Sequence, residues 1–160
     1  MPQSTVLGPL PRHPRIVPEV LPVQPQIPME IATIVAELAP LMAKRGEGAI
    51  VNVSTMVADY GAPGMSLYGS SKAAINLLTK AWAAEYGPNG VRVNAVSPGP
   101  TRTEGTAAMD EGLEQLAAQA PAGRPATADE IAEAIVFLAT DRASYIQGAK
   151  LAVDGGRTAV

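Results

Sequence analysis

The sequence predicts an α/β protein with a parallel sheet of about three strands and flanking helices. Three short apolar segments have the composition of buried strands, at residues 49–53, 91–96 and 150–153. Two longer segments with apolar residues at helical spacing separate them, at about 66–86 and 127–140. Strands that alternate with helices in this way are typical of a doubly wound parallel sheet.

The amino-acid composition excludes several classes of function. The 160 residues suit one domain, and 47% of them are apolar. The net charge of -3 gives no basic surface for nucleic acid. The chain has no cysteine and only His13 as histidine, which excludes thiolate metal sites and histidine-based triads. No apolar run approaches the roughly 18 residues that cross a membrane, so we predict a cytoplasmic protein without a membrane partner.

Proline sets the first part of the chain apart. Eight of the 15 prolines lie within residues 1–28. Proline removes a backbone donor and disfavours both helix and central strand, so we predict a disordered, polyproline-like arm there. It could be a PxxP ligand or an inert tail. The folded domain is predicted over residues 29–160.

The first predicted elements are a helix and a strand. Apolar residues recur at helical spacing from Met29 to Arg45, which predicts a helix with a possible kink at Pro40. The run Ala49–Val53 is nearly all apolar, as expected for a strand covered on both faces by helices.

A second helix and a second strand follow a polar loop. The helix is predicted over about Ser66–Tyr86, with a face of small residues, and it ends at Gly87–Gly90. The strand is predicted over Val91–Val96, with Ser97–Pro100 as its stop. Together with the first strand they form one predicted right-handed crossover unit.

The last part of the chain is less regular. Residues 101–123 are predicted to form a loop with a helix at about 110–119, which could cover a site as a lid. Thr127 and Glu130 have the spacing of a capping box that opens a helix to about Thr140. A final strand is predicted over Lys150–Val153.

Three residues could carry chemistry. Tyr68 and Lys72 are four apart on a predicted helix and share one face, so the ammonium can lie near the phenol and lower its pKa. Tyr68 could then act as a general acid or base. Thr55 follows the end of a buried strand, where ligands of open α/β sheets bind, and could hold a substrate oxygen. Taken alone, the spacing of Tyr68 and Lys72 favours a surface tyrosine beside a solvated lysine, because such a pair is common by chance.

Four segments in order carry a resemblance to a known family: GAIVNVST (48–55), YGSSK (68–72), VRVNAVSPGPTRT (91–103) and LAVDGG (151–156). They resemble the catalytic, C-terminal half of a short-chain dehydrogenase/reductase, over about four-fifths of the chain. The resemblance implies a partial Rossmann-like sheet and hydride transfer between NAD or NADP and a small-molecule carbonyl or alcohol.

The resemblance also implies residue roles. Tyr68 would be the proton donor or acceptor, and Lys72 would lower its pKa and bond the nicotinamide ribose. Thr55 stands where the family usually has serine, and keeps the hydroxyl. Four further residues fall on the segment that faces the nicotinamide: Pro98, Gly99, Thr101 and Thr103. Both threonines could instead be simple turn residues. Asn94 is predicted to be structural, and three aromatic residues to form core or subunit contacts: Trp82, Tyr86 and Phe137.

The resemblance leaves one half of the family's domain unmatched. Before Met29 the only glycine is Gly8, so the glycine-rich turn that holds the cofactor pyrophosphate is missing. We therefore predict that the nucleotide-binding half is absent and that the apolar strand 49–53 has an open edge. Such an edge favours a homo-oligomer, or association with a family N-terminal half or a paralogue. An inactive remnant that serves as an interaction module is the alternative.

Overall fold

The computed structural model describes residues 27–160. Helices are α1 (Ile27–Arg45), α2 (Ser66–Tyr86), α3 (Glu111–Ala117) and α4 (Ala128–Ala139), and strands are β1 (Gly48–Val53), β2 (Val91–Pro98) and β3 (Lys150–Val153). Short 3-10 turns connect them, among them Met56–Ala58 and Glu104–Met109. The predicted disordered arm lies outside the described residues.

The three strands form one parallel sheet in the order β1-β2-β3, which confirms the predicted fold class. Ile50 of β1 lies beside Val93 of β2, and Ala95 of β2 lies beside Lys150 of β3. Strand β2 continues two residues beyond its predicted end, because Ser97 and Pro98 pair with β3. The expectation that Ser97 stops the strand is therefore wrong.

Helices cover both faces of the sheet. Side chains alternate along a strand, so Val91 and Val93 face one side of β2 and Val96 the other. The first side packs on α1 and α2 in a buried cluster of Val35, Ala39, Trp82, Ala83, Val91 and Val93. The second packs on α4 in a cluster of Val96, Ile131, Leu138 and Ala143. Tyr86 and Phe137 pack against these clusters, so all three predicted aromatic residues contribute to the core.

Strand β1 is less buried than the sequence predicts. Its residues 48–51 are half-buried, Asn52 is buried, and Val53 is 43% exposed. The reason is its place in the sheet, because among residues 27–160 no strand pairs with its outer side. Asn52 ties β1 to α2 by donating a hydrogen bond from Nδ2 to Thr79 Oγ1 over 2.8 Å.

Side chains complete the other side of β2. Gln147 accepts a hydrogen bond from Val93 N at 2.7 Å and donates one to Val91 O at 2.9 Å. Asn94 donates to Ile146 O and accepts from Ala149 N, each over 2.9 Å. These bonds confirm that Asn94 is structural, and they satisfy the backbone of β2 before β3 begins.

Helix α4 is capped at both ends. Thr127 Oγ1 accepts from Glu130 N at 3.2 Å while Glu130 Oε2 accepts from Thr127 N at 2.9 Å, which confirms the capping box. At the other end Arg92 of β2 donates to Leu138 O at 2.6 Å and to Thr140 O at 3.1 Å. A guanidinium suits this position, because the last carbonyl groups of a helix have no partner within it.

Three further predictions differ in detail. Helix α1 begins at Ile27 and continues through Pro40. The expected lid segment forms the 3-10 turn Glu104–Met109 and the shorter α3. The small-residue face of α2 is exposed for much of its length, with Leu77 at 70% exposure. None of the helices in the described part of the chain is long and apolar enough to cross a membrane, and the cytoplasmic location stays a prediction.

Candidate active site

A cleft of about 440 Å³ opens at the carboxyl ends of β1 and β2. Parallel strands end at the same edge of their sheet, and the segments that follow β1 and β2 therefore face one another there. All seven residues that the sequence predicts for the site line this cleft: Thr55, Tyr68, Lys72, Pro98, Gly99, Thr101 and Thr103.

Thr55 lies directly beyond the end of β1. Its backbone is extended, with φ -162° and ψ 155°, and it precedes the 3-10 turn Met56–Ala58. The turn is closed through the backbone, because Ala58 N donates to Thr55 O over 3.1 Å and the Thr55 side chain does not cap it. The hydroxyl group is therefore not consumed by the local structure and can serve a bound molecule.

Tyr68 and Lys72 lie one turn apart near the start of α2. The Lys72 ammonium is 5.9 Å from the centre of the Tyr68 ring, and it donates a hydrogen bond to Val53 O over 2.9 Å. Burial lowers the pKa of Lys72, because desolvation penalises its charged form. The phenol of Tyr68 and the ammonium of Lys72 therefore line the same part of the cleft.

Close packing holds α2 against the segment that carries Thr55. Gly69 allows this approach, since a Cβ atom there would lie 2.8 Å from Val57 O. Buried Ser54 adds two links, with Oγ donating to Lys72 O over 3.4 Å and N donating to Val96 O over 2.8 Å. The sequence analysis missed both residues, although each lies beside a predicted site residue.

The end of β2 packs closely on the segment after β3. A Cβ atom at Gly99 would lie 2.6 Å from Asp154 Cα, so only glycine fits there. Burial would raise the pKa of Asp154, but hydrogen bonds from Thr158 and Gly156 outweigh it and the pKa is lowered. Asp154 thus holds the C-terminal segment as a charged acceptor.

The two predicted threonines of the cleft make local hydrogen bonds. Thr101 Oγ1 donates to Gly99 O over 2.9 Å. Thr103 forms a capping box with Thr106, whose hydroxyl accepts from Thr103 N at 2.9 Å and donates to Thr101 O over 2.7 Å. These bonds favour the turn role for both threonines, and their contact with a nicotinamide stays a prediction.

Apolar residues form the remaining wall of the cleft, and the sequence analysis did not assign them. They come from the loop before α2, from the 3-10 turn, and from α3 and α4: Met65, Met109, Leu113, Leu116 and Ile131. Residues 101–123 lack a regular apolar period, so only the folded chain brings these side chains together.

The sheet is parallel, and a tyrosine and lysine pair lies at the carboxyl ends of its strands. Comparison with known proteins tests whether these features place the chain in the family that its sequence resembles. A family model described as enoyl-(acyl carrier protein) reductase matches residues 30–158. The chain belongs to the short-chain dehydrogenase/reductase family.

Two curated relatives and one solved structure show the extent of the similarity. The chain is 48% identical to a 3alpha-hydroxysteroid dehydrogenase of Mediterraneibacter gnavus, over 73% of this chain and 47% of that protein. It is 47% identical to a cis-4-hydroxycyclohexanecarboxylate dehydrogenase of Sinomonas cyclohexanicum, over 74% of this chain and 48% of that protein. The chain therefore spans about half the length of these relatives.

The solved structure is a gluconate 5-dehydrogenase of Burkholderia cenocepacia in complex with NADP and tartrate. It superposes with a TM-score of 0.77 at 30% identity, over 81% of this chain and 52% of that one. The fold of this chain is therefore similar to about half of that structure.

Proposed function

We propose that this chain carries the catalytic residues of an NAD(P)-dependent oxidoreductase that interconverts a carbonyl compound and an alcohol. One observation carries the proposal: Thr55, Tyr68 and Lys72 line one cleft, with the Lys72 ammonium 5.9 Å from the Tyr68 ring. When bound, the reduced nicotinamide supplies the hydride that converts the carbonyl carbon into an alcohol carbon.

The chain's own residues would handle the oxygen and the proton. The Thr55 hydroxyl would donate a hydrogen bond to the carbonyl oxygen and orient it. The Tyr68 hydroxyl would transfer its proton to that oxygen as negative charge develops there. Lys72 would stabilise the resulting phenolate, and two of its three N–H donors remain after the bond to Val53 O. Oxidation of the alcohol would use the same residues in reverse.

The cleft suits the nicotinamide end of such a cofactor. Lys72 offers donors for a ribose, and Thr101 and Thr103 lie at the end of β2. The similar gluconate 5-dehydrogenase structure contains NADP. The residues of this chain do not indicate whether it would bind NAD or NADP. Residues 27–160 contain no glycine-rich turn between a strand and a helix for the pyrophosphate. We therefore propose that these residues act together with a segment corresponding to the other half of their relatives.

The activity test combines the full chain with that other half, taken from a curated relative, and follows oxidation of NADPH or NADH with a panel of ketones. We expect Tyr68→Phe to lower kcat by at least about a hundredfold, as for loss of a general acid. Tyr145→Phe is the matched control, because Tyr145 is fully exposed and lies outside the cleft. Equal activity of the two variants would contradict the role of Tyr68.

A second candidate function is that of an assembly module, which exposed apolar residues favour. Helices α1 and α2 contact one another, and each exposes large side chains: Ile34, Leu38, Leu41, Leu67 and Leu77. Exposed apolar side chains on neighbouring helices mark an interaction site where they form one patch. We propose that these two helices join copies of the chain into a homo-oligomer.

A matched pair of variants tests the assembly surface. We expect Leu77→Glu on α2 to weaken self-association at least about tenfold in sedimentation velocity, because a carboxylate would be buried in the interface. Val136→Glu on α4 is the control, with 53% exposure on another helix. If association persists in Leu77→Glu, another surface joins the copies, and the open edge of β1 is then the first to test.

A further inference from the structure

The wall of the cleft is almost free of charge. Among its lining residues in the described part of the chain, Lys72 alone is charged. The Lys72 ammonium lies beside Tyr68 and already donates to Val53 O. An anionic group that a substrate places away from Lys72 would therefore meet no cation in this lining, although water would have solvated it.

The polar groups near that wall are also committed. Thr101 Oγ1 donates to Gly99 O, and Thr106 Oγ1 donates to Thr101 O. The Thr103 and Thr106 hydroxyls lie 3.2 Å apart and share one hydrogen bond. A carboxylate or phosphate could bond these three hydroxyl groups only by breaking the bonds they already make, whereas an apolar group leaves them intact.

Two methionines from different segments of the chain line the cleft. Met65 belongs to the loop before α2, and Met109 ends the 3-10 turn before α3. Buried Leu113 and half-buried Leu116 complete the surface between them. Methionine is unbranched and adapts to irregular shapes, so this surface can accept more than one apolar outline.

We propose that the cleft takes an uncharged, apolar ketone or secondary alcohol, such as an alicyclic one, and discriminates against a carboxylate on the part of the substrate remote from the carbonyl. The inference rests on the proposed oxidoreductase function for its reacting group. Its substrate class rests on the wall. The cleft volume of about 440 Å³ lies within the usual range of small-molecule sites and accommodates a ring system.

Methionine methyl groups allow a binding test on the full chain without turnover. The chain is labelled with 13C-methyl methionine and titrated with 4-methylcyclohexanone and with 4-oxocyclohexanecarboxylate, which differ only by methyl against carboxylate. We expect the uncharged ketone to shift the signals of Met56, Met65 and Met109, which line the cleft. Met42, packed against the core, and exposed Met29 should not shift. Binding of the carboxylate should be at least about tenfold weaker.

A second experiment adds a positive charge to the cleft and asks whether the carboxylate then binds more tightly. Leu116→Lys places a cation on the wall and should raise carboxylate affinity at least about tenfold, whereas Leu116→Met should keep the preference of the unmodified chain. Equal or tighter binding of the carboxylate by the unmodified chain would overturn the proposal. So would no shift with either ketone up to its solubility, or equal shifts at Met29 and Met42.

The substrate class and the oxidoreductase function are tested by different measurements. Methyl shifts with the uncharged ketone and no hydride transfer in the reconstituted enzyme would leave the substrate class standing and remove the proposed function. Equal turnover of the two ketones would do the opposite.

Discussion

Strands β1 and β2 have similar apolar sequences and very different surroundings. Val91, Val93 and Ala95 of β2 are fully buried, whereas Ile50 of β1 is half-buried and Val53 is 43% exposed. Strand β2 lies between two partners, and β1 has one within residues 27–160. An apolar run therefore identifies a strand, while the position of the strand in the sheet decides how far it is buried.

The largest expected effect is on hydrogen exchange. Val93 N bonds Gln147 and Ala95 N bonds Ala149 O, so these β2 amides should exchange only on global unfolding. Amides of β1 that point to its outer side should exchange at least about a thousandfold faster. Exchange measured by NMR on the full chain decides the matter. Equal protection on both strands would show that another segment or another copy covers the edge.

The same substitution, valine to alanine, should lower the free energy of unfolding more on β2 than on β1. Val93→Ala removes two methyl groups from a fully buried site and should lower the free energy of unfolding by about 2 kcal/mol. Val51→Ala on half-buried β1 should lower it by about 1 kcal/mol, because its cavity is partly open. Urea denaturation measures both. A larger loss for Val51→Ala would mean that β1 is covered in solution.

The smallest expected effect is a pH-dependent change in the stability of α4, which packs on both β1 and β2. Hydrogen bonds from Arg124 and from Thr127 N lower the pKa of Glu130 to about 2. The unfolded chain then binds the extra proton first as the pH falls, so this contribution is present above the unfolded pKa near 4.5 and is lost towards pH 2.

Glu130→Gln should therefore be less stable than the unmodified chain at pH 7, and the difference should shrink by pH 3. Urea midpoints at the two pH values measure this. Arg142→Gln, which removes a charge outside the capping box, is the control. A constant difference between the two pH values would contradict the role of the ionised Glu130 carboxylate.

Local signals explain which elements could be predicted. The bounds of α2 and β3 were predicted correctly, because glycine and proline end α2, and a short run that is mostly apolar, closed by Asp154 and two glycines, marks β3. The capping box of α4 joins two residues only three positions apart and is equally local. The end of β2 depends on pairing with residues more than 50 positions later, and the burial of β1 depends on a missing neighbour. Neither is encoded near the strand itself.

The candidate site divides in the same way. Thr55, Tyr68 and Lys72 could be predicted because their spacing and place beside strand ends are visible in the sequence. The apolar wall could not, since Met65 and Met109 are 44 positions apart and meet only across the folded cleft. The hydrogen bonds of Thr101 and Thr103 also needed the structure, because a turn hydroxyl and a ligand-binding hydroxyl look alike in sequence.

The cap that Arg92 places on α4 sets an order of events during folding. Its hydrogen bonds reach carbonyl groups 46 and 51 residues further along the chain. Such a contact forms only after a long loop has closed, which costs entropy before the bond compensates for it. The opposite end of α4 is closed by residues three positions apart, which can meet at once. We expect α4 to start from Thr127 and to complete its last turn only when β2 is already in the sheet.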